Sequence, residues 1–456
     1  VLKTFQNVPL ESYLKYDRPV PRYTSYPTAV KFYGIEESQY RQTLSQLDKK
    51  PLSIYIHIPF CQKMCLYCGC SVILNRNEER QEKYVQALLQ EIKQVQAQVQ
   101  HKPEVEQIHF GGGTPTNLTN QQMERIFTAL RQGFTILDEA EISIEIDPRT
   151  VVPDGGRKLK FYHEIGFNRV SFGIQDTNDK VQEAVRRRQP YSMSLQTVQW
   201  ARTIGFQAIN VDLIYGLPFQ TYETFQETTE KILSMEPDRI ALFSYAKVPW
   251  LKTHQKAIRD KDLPSKQEKL AIYAYARSHF IEGDYVAIGM DHFSKKDDSL
   301  SKAYVSKSLV RNFQGYSVQK AQNMLGFGVS AIGYVNGLYV ANTKDLTHYQ
   351  NCIDQNLLPV ERGYLLNSDD HIRSWVIQKI MCNFSLDMEE FFSTFKIPFE
   401  DYFQKELVVL SSFSELAKQQ GKYIVVTELG ELFVRIVASI FDKYYELQPE
   451  KFSQSI

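Results

Sequence analysis

Ser53-Ile54-Tyr55-Ile56-His57-Ile58-Pro59-Phe60-Cys61-Gln62-Lys63-Met64-Cys65-Leu66-Tyr67-Cys68-Gly69-Cys70 is the stretch from which the rest of the chain can be read. Its first six residues have the apolar, β-branched character of a strand, Pro59 stops it, and four cysteines follow within ten residues. Beyond the cysteines, residues 78–99 carry helical spacing, with Tyr84, Leu88, Ile92 and Val95 on one face. The same strand–loop–helix rhythm then repeats. Strands are expected at 105–110, 142–146, 170–174, 208–214 and 239–243. Helices are expected at 120–131, 158–165, 179–187, 194–204, 221–234 and 267–280. Six βα units in succession argue for a parallel sheet wrapped by helices. Six are too few for a closed eight-fold barrel, so the expected class is α/β: an incomplete, open (β/α)6 TIM-like barrel. Functional loops in such folds lie at the C-terminal ends of strands, and the cysteine run is one of them.

The flanks read differently. Residues 1–50 form an N-terminal arm. Within it, Pro21-Arg22-Tyr23-Thr24-Ser25-Tyr26-Pro27-Thr28-Ala29 must be extended, because its prolines forbid a regular helix. Residues 51–360 are taken as the barrel and its extension, with mixed character and a linker in 294–360. Residues 361–456 read as a smaller, mainly helical, winged-helix-like domain, with a short strand at 421–426 and a long apolar helix at 432–445.

The 456 residues are 43% apolar and 23% charged, with formal net charge +0, which excludes a general polyanion binder; no nucleic-acid partner is expected. No run of about eighteen apolar residues occurs, so no membrane span is expected. Residues 1–10 lack a basic start followed by an apolar stretch, so a cytoplasmic, monomeric protein is expected. Six cysteines with four crowded together fit metal or redox work rather than a disulfide framework.

Cys61, Cys65 and Cys68 have the spacing Cys-x3-Cys-x2-Cys. Three thiolates hold three corners of a 4Fe-4S cluster and leave one iron open, as substrate-activating chemistry requires; four would make an electron shuttle. A four-cysteine zinc site, a helical stripe of small core residues and a redox disulfide pair are the alternatives. Gly111-Gly112-Gly113-Thr114-Pro115 follows the second strand and lets a ligand approach the backbone, or makes a tight turn. Glu145, Gln175 and Asp212 are polar ends of three apolar strands: each alone is ordinary strand-end solvation, and together they favour a shared polar pocket for ribose hydroxyls or an ammonium group. Of Arg186-Arg187-Arg188, only one need face inward. His57 and His109 alternate with apolar strand residues and read as structural.

The segment from Tyr55 to Cys68, with Tyr67 before the third cysteine, resembles the radical S-adenosylmethionine enzymes. The resemblance extends to the arm at 21–29, Cys68-Gly69-Cys70, Asp212-Leu213-Ile214-Tyr215-Gly216-Leu217-Pro218, Ile288-Gly289-Met290-Asp291-His292-Phe293, Arg311-Asn312-Phe313-Gln314-Gly315-Tyr316 and Ile380-Met381-Cys382-Asn383-Phe384, which are similar to the oxygen-independent coproporphyrinogen III oxidase family. It implies conversion of two propionates of coproporphyrinogen III to vinyl groups in haem biosynthesis. It also implies the three-cysteine cluster, an external electron donor and acceptor, and two molecules of S-adenosylmethionine. Tyr55, Gly112, Glu145 and Ile332 match positions around the first molecule. Tyr67, Gly113, Thr114, Gln175, Arg187, Asp212 and Ala246 match positions around the second. Cys70 matches an active-site cysteine that is not a cluster ligand, although a small core residue is its plainer reading. Arg22, Tyr23 and Arg311 are candidates for substrate carboxylates or for closing the arm over the pocket. A related haem-chaperone group without oxidase activity is the competing resemblance; its members typically lack the Cys70 cysteine and the arm.

Overall fold

The computed structural model describes residues 15–318 and 321–445. The start of the arm, residues 1–14, lies outside the described residues, including the segment expected to lack a leader. The parallel arc is built from β1 (Leu52–Ile58), β2 (Glu104–Gly112), β3 (Thr135–Ile146), β4 (Arg169–Gln175), β5 (Ala208–Tyr215) and β6 (Arg239–Ser244), hydrogen-bonded in that order. β1 is buried on both faces, as a parallel strand under helices must be. Most of the helices between the strands start where a side chain accepts the free N–H groups. Asn77 caps Glu78–Gln98, and Thr119 and Thr221 form capping boxes on Asn120–Gly133 and Tyr222–Leu233.

The arc does not close. Beyond β6 it continues into two antiparallel strands, β7 (Tyr285–Ile288) and β8 (His292–Lys295), with β8 beside β6. On the other side β9 (Met324–Phe327) lies parallel to β1. It is followed by the antiparallel meander β10 (Ile332–Val335), β11 (Leu338–Asn342) and β12 (Val360–Leu365), with Tyr33–Gly34 of the arm at the edge. The fold is therefore an incomplete, TIM-like α/β barrel. The segment read as mixed with a linker is indeed mixed: it holds the helices Ser299–Val305 and Leu346–Asp354 and a series of short strands. Its strands of three to six residues, some paired on one side by β1 and a tight hairpin, are too short to stand out as a periodic pattern. Among the described residues no helix is long and apolar enough to cross a membrane.

The arm contains more than an extended strap, since Glu37–Ser45 is a helix. The C-terminal region has the helix Ser368–Asn383, further short helices, and a three-stranded antiparallel sheet whose hairpin turns at Gly421 (φ 59°). The expected long helix at 432–445 is two short ones, Glu428–Leu432 and Val434–Ile440. The chain leaves helical geometry after Ile440 because its next residues grip the arm. Tyr23 donates to Asp442 (3.1 Å), the Lys443 N–H donates to the Tyr26 hydroxyl, and Tyr445 donates to the Pro19 carbonyl (2.8 Å).

Candidate active site

The ends of the parallel strands surround a cavity of about 1220 Å³. Cys61, Cys65, Cys68 and Cys70 all line it, as do Tyr55, Tyr67, Gly112, Gly113, Thr114, Glu145, Asp147, Gln175, Arg187, Asp212, Ala246 and Ile332. The cysteine loop leaves β1 through Phe60–Cys61, which pairs in parallel with Ile73–Leu74. His57 fixes its far end. The buried imidazole donates from Nε2 to the Ser71 carbonyl (2.9 Å) and accepts at Nδ1 from the Tyr55 hydroxyl (3.0 Å). Burial lowers its pKa, which suits that neutral, structural role. A second brace comes from the segment after β6: His254 meets the Cys68 carbonyl (2.8 Å), Gln255 donates to that of Tyr67 (2.9 Å) and Lys252 to that of Cys70 (2.7 Å).

Asp147, Arg149 and Arg187 form an ion-paired wall against this loop. Arg149 and Arg187 donate to Asp147 at 2.6 and 3.2 Å, and both reach Cys65 Sγ, at 3.8 and 3.6 Å. Burial opposes ionisation of Asp147, but Arg187 and Arg149 outweigh it and hold the carboxylate at about 2. Arg187 enters the interior because the helix Asp179–Ala184 ends early and Arg186 takes a left-handed conformation (φ 55°). Arg186 and Arg188 remain exposed, so one arginine of the three faces inward.

Asp212 has a different setting. Its partners are neutral: Ser171 Oγ donates at 3.0 Å and Asn210 Nδ2 at 2.8 Å. Burial, then the nearby charge of Glu145, raises its pKa to about 6. Glu145 accepts from the Gly112 N–H (3.2 Å) and lies 3.4 Å from His109 Nε2.

The donor set fits a cluster with a ligand beside it. Cys61 accepts or donates a hydrogen bond with Thr114 (3.4 Å), and burial pushes its thiol up to about 11. Cys68 is lowered to about 6, first by its hydrogen bond with Cys70. Among the described residues no three His, Cys, Asp or Glu side chains converge closely enough for one metal ion, whereas a four-iron cube binds each thiolate to a different iron and needs them further apart. At Gly113 a Cβ would stand 2.5 Å from the Pro59 carbonyl oxygen and 3.1 Å from Cys61 Sγ, so only glycine passes there. Gln175, at φ 72°, has a buried Oε1 with no partner among the described residues, a free acceptor in the cavity wall.

The cavity continues to Arg22 and Arg311. Arg22 donates to Asp291 at 2.6 Å. Arg311 is 4% exposed, stacks 4.5 Å over Tyr316, and has no partner for Nη1 among the described residues. Tyr23 does not line the cavity. Its ring is turned into the C-terminal region by the bond to Asp442, so its place is in anchoring the arm.

A model of the radical SAM superfamily matches residues 55–232. The chain is 41% identical to the oxygen-independent coproporphyrinogen III oxidase of Synechocystis sp., covering 99% of both proteins. It is 41% identical to that of Escherichia coli K12, over 94% of each. The chain belongs to the oxygen-independent coproporphyrinogen III oxidase family. The structure agrees: the radical SAM enzyme coproporphyrinogen III oxidase (HemN) from Escherichia coli superposes with TM-score 0.89 at 39% identity, covering 95% of this chain and 99% of that one. Membership in the superfamily brings a 4Fe-4S cluster and S-adenosylmethionine.

Every cofactor-site residue expected from the sequence lies on the one cavity, and of the four substrate-side candidates only Tyr23 does not. Asp147 and Arg149 were not among the expected residues. Their signal is positional: Asp147-Pro148-Arg149 directly follows β3, at the same sheet end as Glu145. The braces His254 and Lys252 carry no such signal, since they come from an irregular segment.

Proposed function

We propose that this chain catalyses the oxygen-independent oxidative decarboxylation of two propionates of coproporphyrinogen III, giving the vinyl groups of protoporphyrinogen IX. The carrying observation is the full-length kinship with the oxidases, joined to a single cavity running from the cysteine loop to Arg311. Cys61, Cys65 and Cys68 would hold the cluster, and Cys70, the exposed thiol beside them, stays free near the reacting carbon. When bound, the cluster and S-adenosylmethionine would supply radical chemistry that removes one hydrogen from a propionate β-carbon, with CO2 released and one electron passed to an external acceptor as the vinyl group forms.

This chain's residues position the reactants. Two S-adenosylmethionine molecules fit the reading, because the cavity exceeds the roughly 300–1,000 Å³ of an ordinary ligand pocket. Tyr55, Gly112, Glu145 and Ile332 would surround the first; Tyr67, Gly113, Thr114, Gln175, Arg187, Asp212 and Ala246 would surround the second. Asp212 and Gln175 offer acceptors to hydroxyl or ammonium donors. Arg311 offers a buried guanidinium to a substrate carboxylate, with Arg22 beside it. The three-part division at residues 50 and 360 follows these roles: an arm bearing Arg22, a barrel bearing the cofactors, and a C-terminal region gripping the arm. The six free thiols fit a reducing, cytoplasmic setting, with the protein acting as a monomer.

The test is anaerobic reconstitution of the cluster, followed by addition of dithionite, S-adenosylmethionine and coproporphyrinogen III. Vinyl product with 5′-deoxyadenosine is expected. Stable haem binding with no decarboxylation would replace this reading with a haem carrier.

A further inference from the structure

The proposed reaction needs an electron delivered to the cluster, and the outer side of the cysteine loop has a surface suited to receiving it. Three segments meet at that loop: 61–77, which contains it; 185–193, whose Val185 carbonyl accepts from the Leu66 N–H (3.0 Å); and 245–259, which supplies the braces from Lys252, His254 and Gln255. None of the three contains an Asp or Glu, in a chain whose acidic and basic residues balance at 53 each. Some of their cations are used internally, Arg187 by Asp147, Arg188 by Glu183, Lys247 by Asp260 and Arg259 by Asp262. Lys63, Arg76, Arg186, Lys252 and Lys256 have no carboxylate partner among the described residues.

Two of these, Lys63 and Arg186, line the cavity and are open to substrate carboxylates. Arg76, Lys252 and Lys256 do not line it, so the catalytic cavity does not account for them. They are nonetheless tied to the cluster loop: Arg76 donates to the Gln62 carbonyl, Lys252 to that of Cys70, and Lys256 lies two residues from His254. The same segments expose large apolar side chains. Trp250 is 51% exposed, Leu251 67%, and Leu74, paired with Cys61, 50%. Exposed apolar groups beside unpaired cations are the composition of a transient protein-docking surface. Positive charge there steers an acidic partner and raises its association rate.

We infer that this face, with Arg76, Lys252, Lys256, Trp250, Leu251 and Leu74, docks an acidic one-electron carrier protein that reduces the cluster. The carrier loses one electron and the cluster gains it; no bond is made or broken and no proton moves. The inference rests on the functional reading above, since it needs a cluster held by Cys61, Cys65 and Cys68.

The test uses the reconstituted holoenzyme and two acidic probes, a reduced flavodoxin and a reduced ferredoxin, with dithionite as a small reductant that needs no docking. Bleaching of the cluster is followed by stopped flow, and complex formation with the oxidised probes by calorimetry. The variants are Arg76→Glu with Lys256→Glu, and Trp250→Ala with Leu251→Ala. For at least one carrier, the charge reversal is expected to slow reduction about ten-fold or more at low salt and to flatten its salt dependence, while the dithionite rate and iron content stay unchanged. The apolar pair is expected to weaken complex formation with the salt slope retained. The inference is overturned if neither carrier reduces the parent enzyme. Equal slowing with carrier and dithionite, or a raised KM for coproporphyrinogen under dithionite, which would assign these cations to substrate, overturns it too. Loss of dithionite-driven turnover in the parent enzyme counts instead against the functional reading.

Discussion

Two strands of one sheet carry aspartates into the same cavity and treat them in opposite ways. Past β3, Asp147 is clasped by Arg149 and Arg187, and the pair also faces Cys65. In β5, Asp212 has only a serine and an amide, and its pKa is raised to about 6 rather than held at about 2. The first wall pairs its carboxylate within the chain, although Arg187 keeps a buried Nε–H without a partner among the described residues. The second keeps acceptor capacity that only a ligand bearing hydroxyls or a positive charge completes. The cavity thus divides into a part that holds the cluster loop and a part that receives.

The most severe way to break the holding wall is to remove what it faces. Cys65→Ser should abolish a three-thiolate site, leaving iron and sulfide content far below stoichiometric and turnover below detection. Full iron content in this variant would remove Cys65 from the ligand set. Next comes the wall itself. Arg187→Ala leaves Asp147 with one partner in a buried setting, and Asp147→Asn leaves two arginines facing each other. Each should cost about 3–5 kcal/mol in urea unfolding of the holoenzyme. A change within about 0.5 kcal/mol would mean that Asp147 and Arg187 act independently.

On the receiving side the effect moves from stability to affinity. Arg311→Ala removes a buried, under-partnered guanidinium and should raise KM for coproporphyrinogen III by roughly ten- to a hundred-fold, as expected for losing a charged hydrogen bond of about 1.5–3 kcal/mol. The KM for S-adenosylmethionine should stay unchanged. If both KM values rise together, Arg311 shapes the whole cavity rather than binding the substrate.

The two regions were not equally legible. The βα rhythm shows in the sequence because the parallel strands carry buried apolar residues and most of the helices have a capping side chain at their start, so local pattern and tertiary role agree. The meander after residue 324 hides because its strands are short, although Asn336-Gly337, both at positive φ, is a hairpin signal carried by the chain itself. The cysteine spacing exposes the holding wall's purpose, yet its Asp147–Arg187 partnership spans forty residues and depends on the left-handed turn at Arg186, which a run of three arginines does not advertise. Asp212 is the reverse case: a polar residue in an apolar strand is visible at once, while its raised pKa needs the cavity and Glu145 in place. Tyr23 shows the limit of reading an arm by motif, since a residue between Arg22 and Thr24, both on the cavity, turns its side chain the other way.

The smallest predicted effect is the one that tests the comparison most directly. A carboxyl whose folded pKa of about 6 lies above its unfolded value of 3.8 is ionised at neutral pH at a cost to the fold. Between those values the folded state binds the extra proton. This contribution therefore makes the protein less stable as pH rises from about 3.8 to about 6, beyond which the penalty is constant, and more stable as pH falls back through that window. Asp147 has the opposite sign, because its lowered pKa stabilises the fold until pH falls toward about 2. Asp212→Asn should then stabilise the protein at pH 7.5 by about 1 kcal/mol, less than the full shift implies because the carboxylate faces the cavity and its water. The gain should shrink at pH 5.5, and affinity for S-adenosylmethionine should fall in the same variant. Urea unfolding at the two pH values, with calorimetry for the ligand, measures all three. A less stable Asp212→Asn at pH 7.5 would make Asp212 part of the scaffold like Asp147, and the division between holding and receiving walls would be lost.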